Sequence, residues 1–71
     1  MKKYYFTFGS WEKFPYHDGY LIVKASNIQE AIKKYRNKYP DIHKNTLNCS
    51  FYYSEEEWND NNAGICHEII E

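Results

Sequence analysis

Two segments near the start of the chain have the pattern of β-strands. Residues 3–8 are rich in aromatic and β-branched types and end at a Gly-Ser pair, which predicts a first strand. Residues 20–25 form a similar segment after an Asp-Gly pair, and we expect this second strand to pair antiparallel with the first. Residues 9–18 between them predict a long, aromatic-rich loop. The predicted inward side chains of the first strand are Tyr4, Phe6 and Phe8.

A helical pattern follows the second strand. Its apolar residues recur at every third or fourth position, which places them in one stripe along about three turns. Two residue pairs have the spacing of a capping box at its start: Ser26 with Gln29, and Asn27 with Glu30. We expect the helix to end before Pro40, because the residue ahead of a proline is pushed out of the α region. The apolar stripe comprises Ile28, Ala31, Ile32, Tyr35 and Tyr39.

The C-terminal third predicts two strands and a short helix. Residues 47–53 predict a third strand, with Leu47, Cys49, Phe51 and Tyr53 on its buried side. Ser54 is expected to cap a short helix, because three glutamates follow it where the helix dipole favours negative charge. After a polar loop at residues 59–64, residues 65–70 predict a closing strand, although a frayed tail has the same composition.

These elements predict one α+β domain spanning residues 1–71. Their order is β-β-α-β, a short helix and a last strand, which gives a three- or four-stranded mixed sheet covered on one face by one amphipathic helix. If the second and third strands are neighbours, the helix forms a right-handed crossover and that pair is parallel. The other sheet face is then left to the long loop, to the short helix with Trp58, or to a second copy of the chain.

Composition supports a folded protein outside the membrane. Aromatic residues make up 20% of the 71 residues and supply large groups for a core, which argues against disorder. The longest apolar run, residues 21–23, excludes a membrane-spanning helix and a secretory signal. We therefore expect a soluble protein, with Cys49 and Cys66 as free thiols in a reducing compartment.

Charge is distributed unevenly although the net charge is −1. Residues 1–44 hold all nine cations and four acids, whereas residues 45–71 hold six acids and no cation. Either the two halves neutralise each other within the fold, or the acidic half meets a basic partner.

The acidic segment and the aromatic residues of the predicted loops together have the composition of a protein-protein hot spot. This combination predicts a non-enzymatic protein that docks on a basic surface of another protein. The same aromatic residues would otherwise fold back over the sheet as a lid. The candidate partner-binding residues are Glu55, Glu56, Glu57, Trp58, Asp60, Trp11 and Tyr16.

The basic face of the predicted helix supports a second hypothesis, a nucleic-acid-binding accessory protein, because cations beside aromatic rings suit phosphates and bases. A pI of about 6.3 opposes it, since phosphate binding draws on positive potential. The candidate residues are Lys33, Lys34, Arg36 and Lys38.

A third hypothesis is a zinc-dependent or thiol enzyme. Zinc-ligand types are present at His43, Cys49, Cys66 and His67, but no two of them have a chelating spacing. Pairs of Cys and His that resemble a nucleophile and its base occur by chance in such a chain, and it has no Gly-rich phosphate loop. We therefore predict no enzymatic activity, no metal and no cofactor.

Six short segments resemble a family of small uncharacterised proteins encoded by phages and prophages of Gram-positive bacteria. They are YYFTFGS (4–10), FPY (14–16), DGY (18–20), LNC (47–49), YSEEEW (53–58) and HEII (67–70). The family has no assigned reaction, so the resemblance carries over no catalytic residue. It implies a setting in the cytoplasm of a bacterial host, where such proteins often bind and disable defence machinery such as CRISPR effectors.

Overall fold

The computed structural model describes residues 1–58 and 64–71. In these residues, one helix covers one face of a four-stranded mixed sheet, which confirms the predicted α+β fold. The elements are β1 (Lys2–Thr7), β2 (Tyr20–Ala25), α1 (Ile28–Lys38), β3 (Phe51–Tyr53) and β4 (Cys66–Ile70).

The order of the strands in the sheet is β3-β1-β2-β4. β1 pairs antiparallel with both β2 and β3, whereas β4 pairs parallel with β2. The chain therefore leaves β2 through α1 and returns as β3 on the far side of β1. The second and third strands are not neighbours, so the parallel pair considered from the sequence is replaced by β2 with β4.

The core lies between the sheet and α1. As predicted, Tyr4, Phe6 and Phe8 are buried, and the register places Phe6 opposite Leu21 of β2. The helix contributes Tyr35, whose ring stacks on Phe6 with 4.6 Å between ring centroids. The fully buried side chains around this stack are Leu21, Val23, Ala25 and Ala31.

The start of α1 uses the second of the two possible capping boxes. Asn27 is the N-cap, and its side-chain oxygen accepts a hydrogen bond from the Glu30 backbone N–H at 2.8 Å. The Glu30 carboxylate in turn accepts from the Ser26 backbone N–H at 3.0 Å, so two amide groups at the helix start have partners. The helix ends at Lys38, and its C-cap, Tyr39, stands directly before Pro40.

The third strand is shorter than predicted, and the inward assignment of Phe51 is wrong. β3 begins at Phe51, whose side chain is 63% exposed. The register pairs Phe51 with Thr7 and Tyr53 with Tyr5, so both side chains lie on the sheet face opposite α1, and the inward assignment of Tyr53 is wrong as well. Leu47 and Cys49 do pack against the core, but from an irregular segment outside the sheet. Strand alternation therefore does not relate their direction to that of Phe51.

The short helix predicted after β3 is a turn at residues 55–57. Ser54 and Glu57 form the reciprocal bonds of a capping box, with the Glu57 N–H donating to Ser54 Oγ at 3.2 Å and the Ser54 N–H donating to Glu57 Oε1 at 3.0 Å. A single helical turn is unfavourable by itself, because it fixes several residues for one hydrogen bond. The helix does not continue beyond this turn, and the next residue, Trp58, stacks on Tyr5. Residues 54–57 are called the acidic turn below.

The sheet face opposite α1 is called the open face. It is lined by the alternate residues of each strand that point away from the core. In the described residues these are Lys3, Tyr5, Thr7, Tyr20, Ile22, Lys24, Phe51, Tyr53, Cys66 and Ile69.

Gly19 provides a test of how β4 joins the sheet. Its φ is +73°, and a Cβ atom there would lie 2.5 Å from Ile65 O and 2.7 Å from His67 Nε2. We expect Gly19→Ala to lower the free energy of unfolding by about 1–3 kcal/mol, because strain and overlap both arise. The matched control is Gly9→Ala, since nothing lies within 4 Å of a Cβ at Gly9. Equal chemical-denaturation midpoints for the two variants would contradict this account.

Burial of Tyr35 predicts a loss of stability in alkaline solution. Its hydroxyl donates to Asn48 O at 2.5 Å, and burial raises its pKa far above the ordinary 10.0. The unfolded chain releases this proton near its ordinary value and the folded chain does not, so stability is lost as the pH rises above about 10. We expect Tyr35→Phe to lower the free energy of unfolding by about 1 kcal/mol at pH 7 and to make the alkaline decline shallower. Urea unfolding between pH 7 and 11 measures both effects, and parallel curves for the two proteins would refute the assignment.

Candidate functional site

The acidic turn lies at the end of β3, beside the open face. Trp58 follows it and places its ring parallel to that of Tyr5, with 4.4 Å between centroids and 3° between planes. The same indole lies 4.9 Å from the ring of Tyr20 and 5.8 Å from that of Tyr53. Contacts with three tyrosines therefore hold Trp58 on the open face. These contacts fix the position of the residue that directly follows the acidic turn.

Some of the C-terminal acids are neutralised within the fold. Glu68 forms an ion pair with Lys38 of α1 and accepts a hydrogen bond from the Tyr39 hydroxyl at 2.6 Å. Glu71 lies 3.5 Å from Lys24 Nζ, and its main-chain oxygen accepts from Lys34 Nζ at 3.2 Å. Glu68 and Glu71 therefore follow the first explanation of the uneven charge, in which the two halves of the chain neutralise each other within the fold.

The acids of the turn have a different environment. Glu55, Glu56 and Glu57 are exposed, and within residues 1–58 and 64–71 none of them forms an ion pair. Hydrogen bonds from the backbone N–H and side chain of Ser54 lower the pKa of Glu57 below its ordinary value. Glu57 therefore keeps its negative charge near neutral pH. Asp60, the remaining predicted acid of this surface, lies outside the described residues.

The structure separates Trp11 and Tyr16 from the acidic turn. Tyr16 stacks on His67 with 4.3 Å between centroids, and its hydroxyl hydrogen-bonds to that of Tyr39, which raises the pKa of Tyr16. Trp11 is 42% exposed and contacts Phe14 edge-on. Tyr16 packs against the core and against Tyr39 at the end of α1, as the lid alternative predicts, whereas Trp11 stays exposed. Neither ring is among the three on which Trp58 packs.

Sequence reasoning missed the aromatic and aliphatic residues of the open face. The alternation of residues 47–53 predicts Phe51 and Tyr53 on the buried side, and no pattern singles out Ile69, yet Ile69 is 51% exposed beside Ile22. The available signal was the run of adjacent aromatic residues at positions 51–53. Adjacent residues of a strand point to opposite faces, so such a run places rings on both sides of the sheet.

The cations of the nucleic-acid hypothesis do not form one stripe. Lys34 and Lys38 point toward β2 and β4, where they bond to Lys24 O at 2.7 Å and to Glu68 respectively. Arg36 Nε lies 3.0 Å from Asp41 Oδ1, on the side of α1 that faces β3. Lys33 is exposed, and no ion pair involves it within the described part of the chain.

An open groove of about 710 Å³ lies between α1 and β3. Its walls carry Arg36 and Glu57, and Ile32 and Leu47 supply apolar surface. The two opposite charges offset each other, so the groove favours neither an anion nor a cation.

The candidate zinc and thiol residues are dispersed. No three His, Cys, Asp or Glu side chains of residues 1–58 and 64–71 come together in a geometry that would hold a metal ion. His67 Nε2 lies 2.7 Å from Asp18 O, and Cys66 is exposed on the open face. Burial raises the pKa of Cys49 to about 12, which disfavours its thiolate at neutral pH.

The described residues contain one helix of 11 residues, and no helix among them is long and apolar enough to cross a bilayer.

Comparison of the chain with protein-family models, with curated proteins and with solved structures gives no significant match in any of the three. The resemblance to phage and prophage proteins therefore stays a prediction.

The different environments of the two thiols predict an order of reactivity. At pH 8 and micromolar protein concentration, we expect iodoacetamide to alkylate Cys66 well before Cys49, because Cys66 is exposed and Cys49 packs against the core. Peptide mass spectrometry over a time course measures both rates, and the same experiment in urea should make them similar. Faster alkylation of Cys49 in the folded protein would contradict the burial seen here.

Proposed function

We propose that this chain is a small non-enzymatic protein of the phage or prophage type that binds a host protein through the acidic turn and the rings beside it. The observation that carries the proposal is the exposed, unneutralised set of turn carboxylates next to Phe51 and Trp58. Such a surface is complementary to a basic patch on another protein, because fixed charges steer association and aromatic rings supply contact area.

The position of the charges supports binding by a preformed surface. The bonds between Ser54 and Glu57 fix the turn, and the stack of Trp58 on Tyr5 fixes the residue that follows it. Little ordering is then required when a partner binds, which reduces the entropic cost of association. Glu55 and Glu56 take part in neither set of bonds and remain available to cations of a partner.

A role in counter-defence, such as inhibition of a CRISPR effector, rests on the resemblance to phage and prophage proteins. In such a role, the acidic surface would occupy the basic, nucleic-acid-binding face of a host protein. The nucleic-acid alternative has less support, because Lys34 and Lys38 are engaged by β2 and β4 and Arg36 is paired with Asp41.

Charge reversal in the turn tests the proposal. We expect the double variant Glu55→Lys, Glu56→Lys to lose a host protein that the wild type retains in affinity capture from a Gram-positive bacterial lysate at low salt. Glu57 is left intact because it holds the turn. Thermal unfolding should stay within a few degrees of the wild type, since exposed charges contribute little to stability.

The control variant is Glu12→Lys, which reverses an exposed charge in the loop between β1 and β2. It should retain the same host protein as the wild type. Retention by the double variant, or equal loss with Glu12→Lys, would overturn the assignment to the acidic turn. A gel shift with single-stranded DNA or RNA at low salt that disappears in Lys33→Glu would favour the nucleic-acid alternative instead.

A further inference from the structure

The helix does not cover the core face of the sheet equally. α1 packs along β2, whereas β3 is at the edge of the sheet, on the far side of β1. Tyr52 of β3 is paired with Phe6 on the core face, yet its side chain is 45% exposed while that of Phe6 is fully buried. The core face is therefore uncovered over β3, and the groove of about 710 Å³ between α1 and β3 lies there.

The groove and Trp58 are on opposite sides of the sheet. Trp58 stacks on Tyr5, which is on the open face, whereas the wall of the groove that β3 provides includes Tyr52, on the core face. Gly64, the next described residue after Trp58, lies beside Gly19. Neither Trp58 nor Gly64 is among the residues that line the groove.

The size and shape of the groove suit a short chain. Its volume is within the range of roughly 300–1,000 Å³ that is usual for binding sites. A second depression of about 460 Å³ adjoins it along α1, and Ile32 and Arg36 line both. The two depressions together form an elongated groove beside the helix, which is the shape that recognition of a linear segment requires.

The surface of the groove has the groups that a peptide needs. Ile32, Leu47 and Tyr52 provide apolar surface for a side chain. Amide and hydroxyl groups, which donate and accept hydrogen bonds as the N–H and C=O of a peptide backbone do, are present as well. They belong to Asn45, Thr46 and Ser50.

Two opposite charges of the groove retain the capacity to bind a ligand. Asp41 accepts from Arg36 Nε at 3.0 Å, which leaves the terminal nitrogens of the guanidinium as donors for a second carboxylate. Glu57 accepts from the Ser54 N–H through Oε1, and its carboxylate forms no ion pair with the described residues. Arg36 belongs to α1 and Glu57 to the acidic turn, so the two charges come from different walls.

We propose that this groove binds an extended peptide segment in which an apolar residue stands between a basic and an acidic residue. The basic side chain binds Glu57, the acidic side chain binds Arg36, and the apolar side chain contacts Ile32 and Tyr52. Alternate residues of an extended chain point to the same side, so the three side chains enter the groove when one residue separates each from the next. A ligand with a single charge would leave one of the two wall charges without a partner.

This site goes beyond the proposed host-binding surface. The test of that surface rests on Glu55 and Glu56, and neither of them lines the groove. Capture of a host protein and binding of a peptide in the groove are therefore measured on different residues, and either can fail without the other.

NMR titration of the isotope-labelled protein with blocked pentapeptides tests the groove. The probes are acetyl-Lys-Ala-Leu-Ala-Glu-amide and the same peptide with Lys and Glu exchanged, and the one that binds gives the direction of the chain. We expect a Kd of roughly 0.3 mM at low salt, as for a short ligand that loses its flexibility on binding. The amide shifts should be largest in residues 32–37 and 45–52. Replacement of the central leucine by glycine should weaken binding about tenfold or more, because its apolar side chain is lost.

Neutral variants test the two charges. Glutamine at position 57 still accepts the Ser54 N–H bond, as either residue does in a capping box, so Glu57→Gln removes the charge alone. Glu57→Gln and Arg36→Gln should each weaken the charged pentapeptide about three- to fivefold. Neither should change binding of a neutral pentapeptide that has glutamine in place of both Lys and Glu. The matched control is Lys13→Gln, which removes an exposed charge from the loop between β1 and β2 and should leave both affinities unchanged.

Three results would overturn the proposal. The first is that neither charged pentapeptide binds below about 10 mM. The second is that the largest shifts lie around Trp58 and the open face. The third is that Lys13→Gln weakens binding as much as Arg36→Gln, or that Glu57→Gln weakens the neutral peptide as well, since general attraction or a disturbed turn would then account for the effect.

Discussion

Pairing of β1 on both of its edges is the constraint on which the rest of the structure depends. With β2 and β3 holding its backbone, the side chains of β1 have only the two sheet faces available. Tyr4 and Phe6 are directed to the core, and Tyr5 and Thr7 to the open face. One strand thereby organises two aromatic layers, a closed one around Tyr35 and a partly covered one under Trp58. Small domains bury a smaller fraction of their surface than large ones, and here only the layer around Tyr35 is fully buried.

Topology also explains why the C-terminal acids have two different environments. α1 packs along β2, so its Lys38 reaches the β4 edge of the sheet and neutralises Glu68, while Lys24 of β2 pairs with Glu71. The acidic turn follows β3, which lies at the opposite edge. Its carboxylates are therefore beyond the reach of those lysines, and the charge asymmetry of the sequence is only partly cancelled by folding.

The predictable parts of the fold are those with local signals. β1, β2 and α1 follow from the aromatic and β-branched segments, the apolar stripe and the Asn27–Glu30 cap, all of which act within a few residues. The direction of Phe51 depends on which residue β1 pairs with it, and Ser54 with Glu57 gives a genuine helix-start signal that continues for one turn only. Strand order and the separation of Tyr16 from Trp58 are set by contacts between distant segments, which a single sequence does not encode locally.

The parallel pairing of β4 with β2 has a kinetic consequence. Tyr20 lies next to Cys66, so this contact closes a loop of about 45 residues, whereas β1 and β2 close over about 12. The longer closure costs about 1 kcal/mol more in chain entropy, and the ion pairs of Glu68 with Lys38 and of Glu71, directly after β4, with Lys24 help to offset that cost. We expect the β2–β4 pair to form after the β1–β2 hairpin, because it closes the longer loop, and concentrated salt, which screens exposed ion pairs, removes part of what offsets that cost.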